Sequence, residues 1–283
     1  MISIEIPTMG EPALELVLES IRGQSYQDYE VLVLDSSDGF VASDVAEGYG
    51  CRVIRKRVGL FMARHILHLA AKGGTALLLD STRVMRRDCL LLLSDRPEDM
   101  VVVGEREVGH GALAAAIDAD RARALNGADP VLPPHKLASF VLPRYFSSGL
   151  LGEAFSAVRG RMGMDVERVI GEDHKVVFLE AGSRSRRIGI ISEPLIFHMG
   201  RDGPVSIFLK SLRYGSSYSV VRKWYPEAGI RSRRDLSGLD VRTKSSLLLL
   251  YMIQAAGFYA SWAVSLTGYD LYRSLHRRYH EMD

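Results

Sequence analysis

Two strand ends and one acidic pair hold the residue types that could do chemistry. The apolar run Val31-Leu32-Val33-Leu34 delivers Asp35 into a small polar loop, Ser36-Ser37-Asp38-Gly39. A second apolar run, Ala76 to Leu79, delivers Asp80. Much later, Gly171-Glu172-Asp173 sets two carboxylates together at a helix start. Carboxylates can accept from N–H donors, ligate a hard cation or take up a proton. Sheets of α/β proteins bind ligands at the carboxyl ends of their parallel strands, and Asp35 and Asp80 stand at such ends. A plainer reading exists for each: Asp often caps a turn, and acidic residues stabilise a helix N-terminus through the macrodipole.

The elements that must position them alternate. Short apolar strands are expected at Ile2–Pro7, Glu30–Asp35, Arg52–Arg55, Ala76–Asp80 and Met100–Val103, as for strands buried on both faces. Helices are expected at Pro12–Arg22, Val41–Tyr49 and Leu60–Lys72. In the first, Leu14, Val17, Leu18 and Ile21 share one face. The rhythm implies a mostly parallel sheet with right-handed crossovers. An Ala-rich helix follows at Leu113–Leu125, and the proline-rich run Asp129–His135 reads as a loop over the mouth of the sheet. Strands return at Arg187–Ser192 and Leu195–His198, and from Pro204 the pattern is helical. The division expected is a sheet domain over 1–203 and a helical C-terminal region over 204–283.

Composition narrows the class. The chain has 283 residues, 47% hydrophobic and 25% charged, enough to bury a full core. A net charge of +2 gives no footing for a nucleic-acid partner. The basic clusters Arg52–Arg57, Arg184–Arg187 and Arg231–Arg234 suit phosphate groups or an anionic membrane, or are solvated faces. Two cysteines, Cys51 and Cys89, lack metal spacing and suit a reducing cytoplasm as small buried apolar residues. The N-terminus enters a strand at once, so no signal peptide is expected. From Lys244 to Asp270 no charge intervenes. That run reads as a core or oligomer-packing helix, a membrane-surface helix or a span. The aromatic and basic tail, Tyr269 to Tyr279, adds weight to a membrane interface.

Several of these runs occur in an order that resembles family 2 glycosyltransferases with the GT-A fold. They are Pro7-Thr8 at a strand end, Gln24-Ser25-Tyr26, Asp35, Gly59-Leu60, Ala63-Arg64-His65, Ala71-Lys72-Gly73, Asp80-Ser81-Thr82, Gly171-Glu172-Asp173, His198 and Arg213-Tyr214-Gly215. The resemblance covers roughly residues 1–220, and ordered matches are more specific than any one motif. It implies an α/β, Rossmann-like sheet flanked by helices, and an inverting transfer of a sugar from a UDP- or GDP-sugar.

What the resemblance implies for each residue is physical. Pro7, Thr8 and Asp35 match the family's base and ribose pocket. Arg64 matches an arginine that suits phosphates, because a guanidinium grips them bidentately. Asp173, with Glu172, matches the acidic pair whose second member takes the acceptor proton. Asp80 matches the first carboxylate of Asp-x-Asp, which with His198 implies Mn²⁺ or Mg²⁺ on the donor diphosphate. The chain departs from the pattern twice. His65 replaces the usual Asn, and Thr82 replaces the second carboxylate. Three outcomes follow from Thr82. A cation binds through Asp80, the phosphates and His198; Arg64 and Arg83 neutralise the diphosphate instead; or activity is lost.

The expected partners are a nucleotide-sugar donor and a lipid-linked or cell-envelope glycan acceptor, with no nucleic acid. The expected location is the cytoplasm, at the inner membrane face if 245–267 makes a peripheral membrane contact rather than a homo-oligomer. A rival reading is a non-catalytic binding or scaffold protein that kept the fold. A nucleotidyltransferase ranks last, because the first loop, Thr8-Met9-Gly10-Glu11-Pro12, is acidic and has no basic residue. His65 and His68 share a helical face without a third ligand, and no phosphate loop, dinucleotide fingerprint or serine elbow is present.

Overall fold

A computed structural model describes residues 1–126, 142–200, 203–229 and 238–266. The expected loop at Asp129–His135, the cluster Arg231–Arg234 and the tail beyond residue 266 lie outside the described residues. The strands are β1 (Ile2–Thr8), β2 (Tyr29–Asp35), β3 (Arg52–Arg55), β4 (Thr75–Leu78), β5 (Arg83–Met85), β6 (Met100–Glu107), β7 (Tyr145–Ser147) and β8 (Ile188–His198). They form one sheet in the order β3-β2-β1-β4-β7-β6-β8-β5. The first four strands pair in parallel, as the alternating pattern implied. Beyond β4 the sheet is mixed: β7 lies antiparallel between β4 and β6, β6 and β8 are parallel, and β5 runs antiparallel along β8.

Two features of the far half were not anticipated. β5 and β7 have three residues each, too short to show a period of two. The two strands expected before and after Glu193 are one strand, broken in register opposite Val103–Glu105. Pro194 sits at that break, opposite Gly104, because it has no N–H for the ladder. Gly104 makes the bulge possible, since a Cβ there would fall 2.4 Å from the carbonyl oxygen of Glu193.

Helices α1 (Leu14–Arg22), α2 (Val41–Gly48) and α4 (Cys89–Ser94) cover one face of the sheet. Ile2, Ile4 and Ile6 point into that layer and meet Leu14, Val17, Leu18 and Ile21 of α1, the face the sequence marked. The other face is covered by α3 (Leu60–Ala70), α6 (Ser148–Met162) and α7 (Asp173–Arg184). Here β1 departs from the apolar expectation: Ser3 and Glu5 alternate with the isoleucines and are fully buried. Ser3 Oγ donates to Glu30 at 2.6 Å, and Glu5 meets His68 Nδ1 at 2.9 Å. Burial pushes the Glu5 carboxyl above its usual range, against the pull of the His68 hydrogen bond.

The C-terminal elements are α5 (Ala112–Asn126), α8 (Pro204–Trp224) and α9 (Val241–Leu266). α9 packs on α5 and α8, with Leu247 and Leu250 buried against Ala116 and Ile207. Its other side exposes Leu248, Leu249, Met252, Tyr259 and Trp262. Val241–Val264 is long and apolar enough to cross a membrane, and 22% of its most apolar window is buried in the protein.

Candidate functional site

The parallel half of the sheet brings three loops to one edge. Thr8 at the end of β1 is in register with Asp35 at the end of β2, and the loop holding Asp80 leaves β4 beside them. Glu11, which was not singled out from the sequence, ties two of these loops together. Its Oε2 accepts from Thr8 Oγ1 at 2.8 Å, Met9 N at 2.9 Å and Ser81 Oγ at 2.7 Å. Asp35 is buried, with Oδ1 accepting from Ser37 N at 2.8 Å and Oδ2 from Ser43 Oγ at 2.6 Å. It therefore organises its own turn, as the plainer reading had it, and a carboxylate with about four acceptor sites retains capacity for a ligand donor. Pro7 is buried in β1 opposite Leu34.

Arg64 is the centre of the acidic part of the site. Its side chain is only 1% exposed, the largest fully buried side chain among the described residues. Nε donates to Asp173 Oδ2 at 2.7 Å, and Nη2 donates to Asp80 Oδ1. Two residues more than ninety positions apart are thus held by one rigid fork. Arg64 links the two carboxylates, and its Nη1 is left without an acceptor among the described residues.

Asp173 is the first residue of α7 and is buried. Glu172 before it adopts φ 64°, the one non-glycine residue with positive φ among the described residues. Left-handed backbone at a side-chain-bearing residue costs of order 1 kcal/mol or more, and such strain concentrates at functional positions. Gly171 is required for a different reason: a Cβ there would fall 2.6 Å from Cδ1 of Tyr214 in α8. Ser217 of α8 also grips this loop, accepting from Ile170 N at 3.2 Å and donating to Gly171 O at 3.1 Å. The Arg213-Tyr214-Gly215 run is thereby explained as a brace. Tyr214 covers Gly171, and Gly215 lets α9 approach, since a Cβ there would lie 2.7 Å from Cβ of Ser261.

On the other side of Asp80 lies a cluster that the sequence did not reveal. Glu105, buried in β6, receives Arg83 Nε at 3.1 Å, Arg121 Nη1 at 2.7 Å and Arg144 Nε. Arg83 also donates to Asp80 Oδ2, and Arg144 Nη1 lies 3.6 Å from the same oxygen. Burial alone would raise the Glu105 carboxyl; Arg144, Arg83 and Arg121 outweigh it and hold the group well below the usual range. Burial and the neighbouring Arg144 bring Arg83 down to about 9. Arg121 continues to Glu107 at 3.2 Å, and both Glu107 oxygens lie 2.9 Å from His198 Nδ1. His198 is in register with Arg83 across β8 and β5, so it stands at the edge of the Asp80 loop. Burial, then Arg83 and Lys210, hold its imidazole well below the ordinary value, so it is neutral.

Two further histidines, His65 and His68, are structural. His65 lies 5.4 Å from the Phe155 ring and 6.4 Å from the Phe61 ring, in the apolar layer under α3. Burial lowers it to about 4. The departure from Asn is therefore a packing change. His68 bridges Glu5 and Ser148 O, at 2.9 and 3.0 Å. His174 is held well below the ordinary value by burial and by Arg64.

The donor set does not fit a resident divalent cation. Such ions want several hard oxygen ligands. Here both Asp80 oxygens are engaged by guanidinium groups and residue 82 offers a hydroxyl, so that His198, whose Nδ1 bond to Glu107 leaves Nε2 for a ligand, would be the one open donor. Among the described residues no three acidic, histidine or cysteine side chains converge on a metal position.

No family model matches the sequence, and no curated protein matches it. Solved structures do match in shape. TarS of S. aureus has a TM-score of 0.52 at 13% identity over 93% of this chain, which spans 55% of that TarS chain. TarS 1–349 in complex with UDP-GlcNAc reaches 0.54 at 13% identity, covering 99% of this chain and 91% of that one. Mannosyltransferase PcManGT from Pyrobaculum calidifontis, in complex with GDP-Man and Mn²⁺, reaches 0.53 at 15% identity, covering 99% and 83%. The chain has the GT-A fold.

Proposed function

We propose that this chain is an inverting glycosyltransferase that moves a sugar from a UDP- or GDP-sugar to an acceptor hydroxyl. The observation that carries the reading is the line Asp173–Arg64–Asp80, which joins a buried carboxylate at a helix start to the strand edge where Thr8 and Asp35 stand. The nucleoside lies against the Pro7–Thr8 and Asp35 loops, and the diphosphate lies toward Asp80. Asp173 takes the proton of the acceptor hydroxyl as that oxygen attacks the anomeric carbon. The bond from that carbon to the phosphate oxygen breaks on the opposite side, and the nucleoside diphosphate leaves. The TarS and PcManGT complexes with UDP-GlcNAc and GDP-Man support this reading through the shared fold. Mn²⁺ or Mg²⁺ at Asp80 and His198 has no step in it, because of the donor set described above. Residues 1–203 form the catalytic domain in this reading, and 204–283 the helical region whose α8 braces the Glu172–Asp173 loop.

A thermal-shift panel with UDP, GDP, CMP and their sugar conjugates tests it. A ligand at about 100 times its Kd adds about 2.7 kcal/mol to native stability. For a chain of this size that is a rise in Tm of roughly 5–10 °C. One nucleotide is expected to give that rise. A flat panel on folded protein would turn the reading to a scaffold that kept the fold.

The acceptor we propose is a lipid-linked or cell-envelope glycan met at the cytoplasmic membrane face. The support is the exposed row Leu248, Leu249, Met252, Tyr259 and Trp262 on α9, with Arg242 and Lys244 beside its first turn. On lysis and fractionation the protein is expected with the membranes, released by salt or mild detergent. Complete recovery in the supernatant at low salt would remove the membrane part of the reading.

A further inference from the structure

Three guanidinium groups converge on one buried carboxylate beside Asp80. Arg83, Arg121 and Arg144 keep only 13%, 13% and 12% of their side chains exposed, and all three bond to Glu105. Asp80 and Glu107 pair with them as well, so three carboxylates face three guanidinium groups and hold them in place.

The hydrogen bonds leave capacity for a ligand. Arg83 and Arg144 commit Nε and Nη1 to protein oxygens, and the Nη2 atom of each has no protein acceptor among the described residues. Arg64 Nη1 is likewise buried without an acceptor. The cluster borders Asp80, where the resemblance implied a cation, and Thr82 stands where that cation would need its second carboxylate.

We propose that Arg83 and Arg144 form the diphosphate site of the donor, their Nη2 groups supplying the contacts a divalent cation would supply, so that donor binding needs no metal. The proposal rests on the glycosyltransferase reading for the presence of a nucleotide-diphosphate donor. Glu105 is the fixed counter-charge that holds the three side chains in place when no donor is bound. Phosphate oxygens then meet the Nη2 groups of Arg83 and Arg144, which the Nε and Nη1 bonds of the same side chains hold in place.

The test is isothermal titration of the full chain with UDP, UMP, GDP and GMP, in EDTA and again with Mn²⁺ or Mg²⁺. One diphosphate is expected to bind at least about tenfold more tightly than its monophosphate, with its affinity in EDTA within about tenfold of that with metal. Arg144→Lys and Arg144→Gln are expected to erase the diphosphate margin and leave the monophosphate affinity unchanged, with folding checked by circular dichroism. A loss of more than about tenfold in EDTA, restored by Mn²⁺, overturns the proposal and leaves the glycosyltransferase reading standing. So does a diphosphate margin that survives in the folded variants. Should both Arg144 variants fail to fold, the wild-type comparison in EDTA decides alone. No binding of any nucleotide in either buffer overturns the glycosyltransferase reading and this proposal with it.

Discussion

Asp173→Asn is expected to lower sugar transfer by about 10²–10⁴-fold, the range a positioned general base contributes. Asn keeps an oxygen that can accept from Arg64 Nε, which lies 2.7 Å from Asp173 Oδ2 in the wild type. It cannot take a proton from the acceptor. The substitution also removes one of the two charges that face Arg64, so a stability cost accompanies the activity loss. Asp80 remains beside Arg64 and limits that cost, which is why the variant should still fold and still bind the nucleotide. The decisive measurement is turnover against nucleotide affinity on the same preparation. Turnover within a few-fold of wild type would remove Asp173 from the base role. Loss of turnover and nucleotide binding together would assign it a purely structural one.

The edge of the sheet was legible because its residues announce themselves locally. Asp35 and Asp80 each follow an apolar run, and a strand end is where a parallel sheet exposes backbone and ligands bind. The face of α1 was legible for the same reason, since Leu14, Val17, Leu18 and Ile21 recur at helical spacing. The guanidinium cluster was not. Glu105, Arg121 and Arg144 come from β6, α5 and the segment before β7, and no window of sequence holds two of them in a recognisable spacing. Only the antiparallel insertion of β7, three residues long, brings Arg144 to Asp80 and Glu105. Glu11 was hidden differently. The acidic character of its loop was visible, but its role depends on Thr8 and Ser81, one of them seventy residues away. His65 shows the converse: it stands at a motif position, yet α3 turns it into the layer around Phe155.

Arg64→Met should produce the largest loss of stability of any single change in the site. Met keeps most of the apolar stem and removes the charge. Asp173 and Asp80 would then face each other's field without the cation between them, and Asp173 is buried. Breaking a buried ion pair by deleting one partner costs about 3–5 kcal/mol, because the remaining charge stays dehydrated. The unsatisfied Nη1 of Arg64 works the other way, since removing a buried donor without an acceptor recovers part of that cost. Arg64→Lys should be nearly as damaging, because an ammonium offers no planar fork to hold two carboxylates at once. Urea melts of Arg64→Met, Asp173→Asn and the double variant provide the check. If the fork is the link, the double variant is more stable than the sum of the single losses allows, since the second change removes a charge that the first left unpaired. Strict additivity, or a loss below about 1 kcal/mol in Arg64→Met, would mean that Asp173 is held by its helix alone and that the two carboxylates are not coupled through Arg64.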